Sequence, residues 1–167
     1  MSDAVVELKL PAALVTRADL ARLIREVETV DTNLESQKVK AKDRDHVDYH
    51  LPTMSSGLHD FLELNKVTIT KDRERMAIKE RLTKLKDSAP VVHMTFAVAA
   101  DTEVLQKLVD WLRTNAHPQS LISVGLQPGL VGGVYVRTPN HVHDFSMRSM
   151  LEAKRDVMRS VLEEQRS

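Results

Sequence analysis

The sequence predicts an α/β chain (α+β overall): a helical N-terminal segment followed by a small mixed β-sheet domain with packed helices. Three observations predict it. Before Pro90, apolar residues recur at helical spacing in a strongly charged background. After Pro90, short alternating runs interleave with a helical run. The strand–helix–strand order within residues 91–126 suits a right-handed crossover between parallel strands. These patterns outline a mostly helical segment over residues 1–89 and an α/β domain over residues 90–167.

The elements follow in order. Residues 5–10 alternate partly and end at Pro11, which predicts a short strand or extended arm. Thr16-Arg17-Ala18-Asp19 has the form of a capping box with Asp in place of Glu. Leu20, Leu23, Ile24, Val27, Val30 and Leu34 then mark an amphipathic helix over residues 17–36 with a narrow, nearly heptad-like seam. Residues 37–53 are polar and aperiodic and read as a linker. Leu58, Phe61 and Leu62 mark a shorter helix over residues 56–65. Thr70 is the expected cap of the next helix, whose stripe is Ile78, Leu82 and Leu85; Pro90 ends it.

From Val91 the period changes. Val92, Met94, Phe96 and Val98 alternate with Val91, His93, Thr95 and Ala97, predicting an inner strand covered on both faces. Asp101 is placed to cap a helix carrying Val104, Leu105, Leu108, Val109 and Leu112. Residues 121–126 form a second strand and residues 132–137 a third, which the short connection between them predicts to be antiparallel neighbours. After a turn at residues 138–141, a short strand at Val142, His143 and Asp144 precedes a long final helix beginning near Ser146. Its stripe is Met147, Met150, Leu151, Val157, Met158, Val161 and Leu162.

Composition narrows the function. The chain has 167 residues, of which 42% are hydrophobic and 29% charged, so it can bury a core. It has no cysteine, which removes disulfide scaffolds, Cys-ligated zinc, iron–sulfur clusters and thiol catalysis. Basic and acidic side chains balance at 24 each, without the basic excess that nucleic-acid binding exploits. Residues 91–100, the longest nearly apolar run, are too few to span a bilayer, so no membrane insertion is expected. The opening MSDAVVELKL lacks a basic stretch before an apolar core, so no secretory leader is expected. A soluble intracellular protein is the resulting expectation.

No constellation composes an active site. Gly125, Gly129, Gly132 and Gly133 cluster, but Gly132-Gly133 leads into a strand and no lysine follows, unlike a phosphate loop. The pair reads better as a place where backbones approach closely or a strand bends. His141 and His143 stand two apart beside Asp144, so both imidazoles share a strand face; a metal site there lacks a third marked ligand. His46, Asp48 and His50 make a similar cluster in the polar linker. Ser146 has no flanking glycines of a nucleophile elbow. Met147, Met150 and Met158 at helical spacing read first as core. Their flexible thioethers also suit a groove for a partner helix. No catalytic residue, metal or cofactor is assigned.

Gln127-Pro128-Gly129-Leu130-Val131-Gly132-Gly133-Val134-Tyr135-Val136-Arg137, with Val142, Asp144, Ser146, Arg148 and Leu151 beyond it, carries a resemblance. The stretch from Val91 to about Met158 resembles the C-terminal domain of the delta subunit of F-type ATP synthases, called the oligomycin-sensitivity-conferral protein in mitochondria. That family typically has Pro-x-Leu-Ile-Gly-Gly before an apolar strand ending in Arg, then a turn, an apolar residue, an Asp, and Ser-x-Arg opening the last helix. The matching positions are Pro128, Leu130, Gly132, Gly133, Arg137, Asp144, Ser146 and Arg148.

The resemblance implies a non-catalytic peripheral-stalk, or stator, subunit of a proton-translocating ATP synthase. Its implied partners are the catalytic-head alpha subunits and the b-subunit stalk helices, and its implied place is the cytoplasmic side of the cell membrane, peripheral to it. Helix-in-groove binding puts Met147, Met150, Leu151 and Met158 forward as the partner contact. Residues 1–90 do not resemble the family's N-terminal six-helix bundle, so a different head contact is implied. A vacuolar-type stalk subunit has a comparable glycine-strand motif. The rival readings are a stand-alone helix-binding adaptor and a small metal-dependent enzyme using His141, His143 and Asp144.

Overall fold

The computed structural model of the protein describes residues 8–40, 50–138, 140–155 and 159. These form five helices and a four-stranded mixed sheet: α1 (Arg17–Lys40), α2 (Ser56–Asn65), α3 (Asp72–Ser88), β1 (Val91–Phe96), α4 (Thr102–Asn115), β2 (Leu121–Leu126), β3 (Gly133–Arg137), β4 (Val142–Ser146) and α5 (Met147–Ala153). The expected fold class is therefore the observed one. The chain divides into two compact units. One comprises Met1–Pro90 with Gln106–Leu121, the other Val91–Leu105 with Ile122–Ser167.

In the first unit, α1 begins as its capping box predicts. Asp19 Oδ2 accepts from Thr16 N at 2.9 Å while Thr16 Oγ1 accepts from Asp19 N at 3.2 Å, so two otherwise orphan donors are satisfied reciprocally. The six residues of the predicted seam, Leu20 to Leu34, are all buried, and α1 packs on α3 and α2. The helix runs four residues past its expected end, through Gln37 to Lys40. Lys38 there pairs with Glu35 at 3.0 Å and with Asp72. A polar stretch can be helical when tertiary partners hold its side chains. The rest of the expected linker, including His46 and Asp48, lies largely outside the described residues.

Leu58, Phe61 and Leu62 of α2 and Ile78, Leu82 and Leu85 of α3 are buried as their spacing predicts. Thr70 does not cap α3. The helix starts one residue later, with Lys71 at the cap position and no side-chain cap bond, because a turn closes from Thr68 O to Lys71 N at 3.1 Å first. Glu74 reaches back instead, accepting from Thr68 N at 2.7 Å. Residues 8–10 are not a strand: Leu8 and Leu10 are buried in irregular backbone, and residues 5–7 lie outside the described set.

Arg75 is the unusual core residue of this unit, 1% exposed and fully hydrogen-bonded. It donates to Asp31 at 2.6 Å, Asp72 at 2.9 Å, Glu35 at 3.2 Å and the Ile69 carbonyl at 3.0 Å, tying α1 to α3. Its guanidinium holds the Asp31 carboxyl below the usual carboxylate range, against a smaller opposing effect of burial. Asp72 is lowered by Lys38 first and Arg75 second.

In the sheet, strand order is β2-β1-β3-β4. Leu121 N bonds Pro90 O and Gln127 N bonds Phe96 O, both at 2.9 Å. Six residues of advance on each strand in the same sense make β1 and β2 parallel, as the crossover rule predicts. The expected β2–β3 pairing is not found. β3 lies antiparallel to β1, with Met94 opposite Val136 and Phe96 opposite Val134. The six residues between β2 and β3 are long enough to pass β1, since strands stand only ~4.8 Å apart. This arrangement puts the apolar β1 inside and leaves β2 and β4 as edges. β1 is nevertheless covered unevenly: Val92 and Met94 on one face are buried, while on the other Val91 and Thr95 are half-buried and His93 is exposed. It also ends at Phe96, two residues short of Val98.

Candidate functional site: the corner between the last strand and the last helix

Of the motif residues, Gly132, Gly133, Asp144, Ser146 and Arg148 meet at the β4–α5 corner of the second unit, whereas Arg137 stands at the far end of β3. β2 leads into a turn in which Gln127 O accepts from Leu130 N at 3.0 Å. Pro128 presets the first central position of that turn and Gly129 follows it. Leu130 is half-buried. Gly132 and Gly133 then take φ of +119° and +91°, a region L side chains rarely adopt. The Gly132 carbonyl accepts from Met147 N at 3.0 Å. A Cβ on Gly133 would overlap the Phe145 carbonyl oxygen and stand 2.8 Å from Ser146 Cα. A Cβ on Gly132 would stand 3.0 Å from Met147 Sδ. The glycine pair is therefore the seat on which the corner rests, the close approach its sequence suggests.

Asp144 and Ser146 shape the corner from the other side. Asp144 Oδ1 accepts from Ser146 N at 2.8 Å, and buried Ser146 caps α5 by accepting from Ser149 N at 3.3 Å. These bonds to Ser146 hold the Asp144 carboxyl below its ordinary value, with Arg148 adding to the effect. Arg148 itself pairs with Glu152 on its own helix at 3.1 Å. Arg137 ends β3 opposite Val142 and is exposed; among the described residues no carboxylate lies within ion-pair distance of it.

What the corner presents is apolar. Met147, Met150 and Leu151 occupy one side of α5 at spacings of three and four, and they are 51%, 56% and 48% exposed. The core role first read for the methionines is thus not taken up by Met147 and Met150, because α5 buries none of its residues. Met158, with Val157, Val161 and Leu162, lies outside the described residues. Phe145, 55% exposed, adjoins Met147 through the corner. Sequence reading missed Phe145, although the alternation of His143 and Phe145 against Val142 and Asp144 was the signal for it.

The structure gives the metal reading no support. The rings of His141 and His143 lie 6.1 Å apart and tilted, and His143 stacks on Phe145 at 5.8 Å. Asp144 faces the opposite side of the pleat and is engaged with Ser146. Among the described residues no group of three or more His, Asp or Glu is arranged to hold a metal ion. No helix among them is long and apolar enough to cross a membrane.

Fold and corner define an α/β protein with a helical N-terminal unit and an exposed apolar patch of Phe145, Met147, Met150 and Leu151 at the motif. No family model matches the chain. It is 30% identical over 162 residues to ATP synthase subunit delta of Streptococcus agalactiae serotype Ia, an alignment that covers 90% of this chain and 89% of that protein. The chain belongs to the ATP synthase delta-subunit family. The similarity extends well beyond the roughly 70 residues that carry the motif and reaches into the first unit.

Proposed function

We propose that the protein is a non-catalytic stator subunit of a proton-translocating F-type ATP synthase, joining the catalytic head to the peripheral-stalk helices. The observation that carries this reading is the similarity to ATP synthase subunit delta along nine-tenths of the chain. The exposed set Phe145, Met147, Met150 and Leu151 supports it, since an apolar stripe beside a fixed corner suits an amphipathic stalk helix. Stator work needs slow dissociation, for which buried apolar anchors matter more than rim charge. On this reading the b-subunit helices meet the α5 surface and the first unit meets the alpha subunits of the head. The protein then sits on the cytoplasmic side of the membrane as a peripheral part of the complex.

The test is affinity capture of the tagged full-length chain from its own cells in mild detergent, with mass spectrometry of the captured proteins. Recovery of catalytic-head and stalk subunits in stoichiometric amounts is expected. Recovery of the chain with neither would overturn the reading.

A further inference from the structure

The methionines of this chain differ in their access to solvent. Met94 on β1 is 5% exposed, whereas Met76 on α3 is 66% exposed and Met147 and Met150 on α5 are each more than half exposed. Oxidation of a thioether needs the oxidant to reach sulfur, so access decides which of them react. Met147 differs from Met150 in one respect. Its sulfur rests where Gly132 has no side chain, 3.0 Å from the point a Cβ would occupy, so the glycine backs one side of it. In the exposed patch of Phe145, Met147, Met150 and Leu151, two of the four apolar side chains are therefore reachable thioethers. Neither belongs to the core, because α5 buries none of its residues.

We propose that Met147 and Met150 are oxidation sites whose conversion to sulfoxides by a peroxide turns off the contact made by the α5 surface and leaves the fold intact. The inference rests on the stator reading, in which that surface meets a stalk helix. Hydrogen peroxide supplies one oxygen to each sulfur. The S–O bond forms, the O–O bond breaks, and both hydrogens leave with the other oxygen as water. The sulfur loses two electrons and the peroxide gains them. A sulfoxide is polar, so burying it against an apolar helix stripe that offers no donor carries the cost of an unsatisfied polar group. The fold is spared because the oxygens enter at exposed side chains, while Met94 in the core is shielded. The free subunit is the form that reacts, since a helix seated on the patch covers both sulfurs.

The test treats the full tagged chain with hydrogen peroxide, follows each methionine by peptide mass spectrometry, and then offers the protein to a detergent extract of its own cells. Met76 and Met150 should gain oxygen first, Met147 later because Gly132 backs its sulfur, and Met94 not at all while the chain stays folded. The thermal midpoint should hold, and capture of stalk subunits should fall about tenfold or more, as for loss of a buried anchor. Methionine sulfoxide reductases should restore it. Each variant is compared with its own untreated sample: Met76→Leu should lose capture on oxidation as the parent does, and Met147→Leu/Met150→Leu should not. Capture that survives full oxidation of both α5 methionines, or that falls equally in Met147→Leu/Met150→Leu, would overturn the proposal. So would Met147 and Met150 left unmodified while Met76 reacts. An untreated parent that captures no stalk subunit would instead sink the stator reading, and with it the contact on which this oxidation acts.

Discussion

Gly133 lies so close beneath Phe145 that a Cβ at its position would overlap the Phe145 carbonyl oxygen. Both the backbone angle and the space at this point exclude a side chain. Gly133→Leu should therefore destabilise the protein by more than the ~1–3 kcal/mol that a strained backbone position alone costs. Gly129→Ala is the control, because nothing lies within 4 Å of a Cβ there. It should change stability by no more than about 0.5 kcal/mol. Thermal unfolding of the two variants beside the parent separates these outcomes; equal melting temperatures would refute the seat.

Ser146→Ala removes the hydroxyl that caps α5 and should cost about 1 kcal/mol, the usual effect of losing such a cap. The loss should be concentrated in α5, so amide exchange at Ser149 should rise more than exchange in β1.

Met150→Glu tests the proposed contact surface. Met150 is more than half exposed, so folding should be unaffected within about 0.5 kcal/mol. Capture of stalk subunits should fall by about tenfold or more if this side chain is a buried anchor in the complex. Undiminished capture would place the stalk contact elsewhere on the molecule.

Asp31 links stability to pH. Its folded-state pKa is lowered, so its ion pair with Arg75 contributes above the ordinary aspartate range and is lost as pH falls through the lower folded value. Denaturant midpoints measured from pH 7 downward should decline below about pH 4. Asp31→Asn should lose about 1 kcal/mol at pH 7, a modest figure because Asp31 is partly hydrated and Arg75 keeps two other carboxylates. Its acid decline should be shallower than the parent's, and curves that stay parallel down to pH 2 would show that the pair does not titrate in this way.

How much of this was legible in the sequence differs by element. Helical periodicity is a local property, so the seam of α1 and the stripes of α2 and α3 were readable residue by residue. The Thr16–Asp19 box was equally local. The Pro128–Gly133 run pointed to a close backbone approach, because few physical reasons bring two glycines together before a strand. Thr70 misled because it sits inside the Thr68–Lys71 turn, which decides where α3 starts.

What the chain determined by itself was the α/β class, the helical faces, the glycine seat and the family motif. Tertiary structure decided that β3 pairs with β1, on its far side from β2. It also decided that Arg75 is buried among three carboxylates and that Met147 and Met150 face outward. The reason is the same in each case. Strand neighbours, ion-pair partners and burial depend on residues far apart in sequence, and periodicity reports only which face a residue shares, not what that face meets.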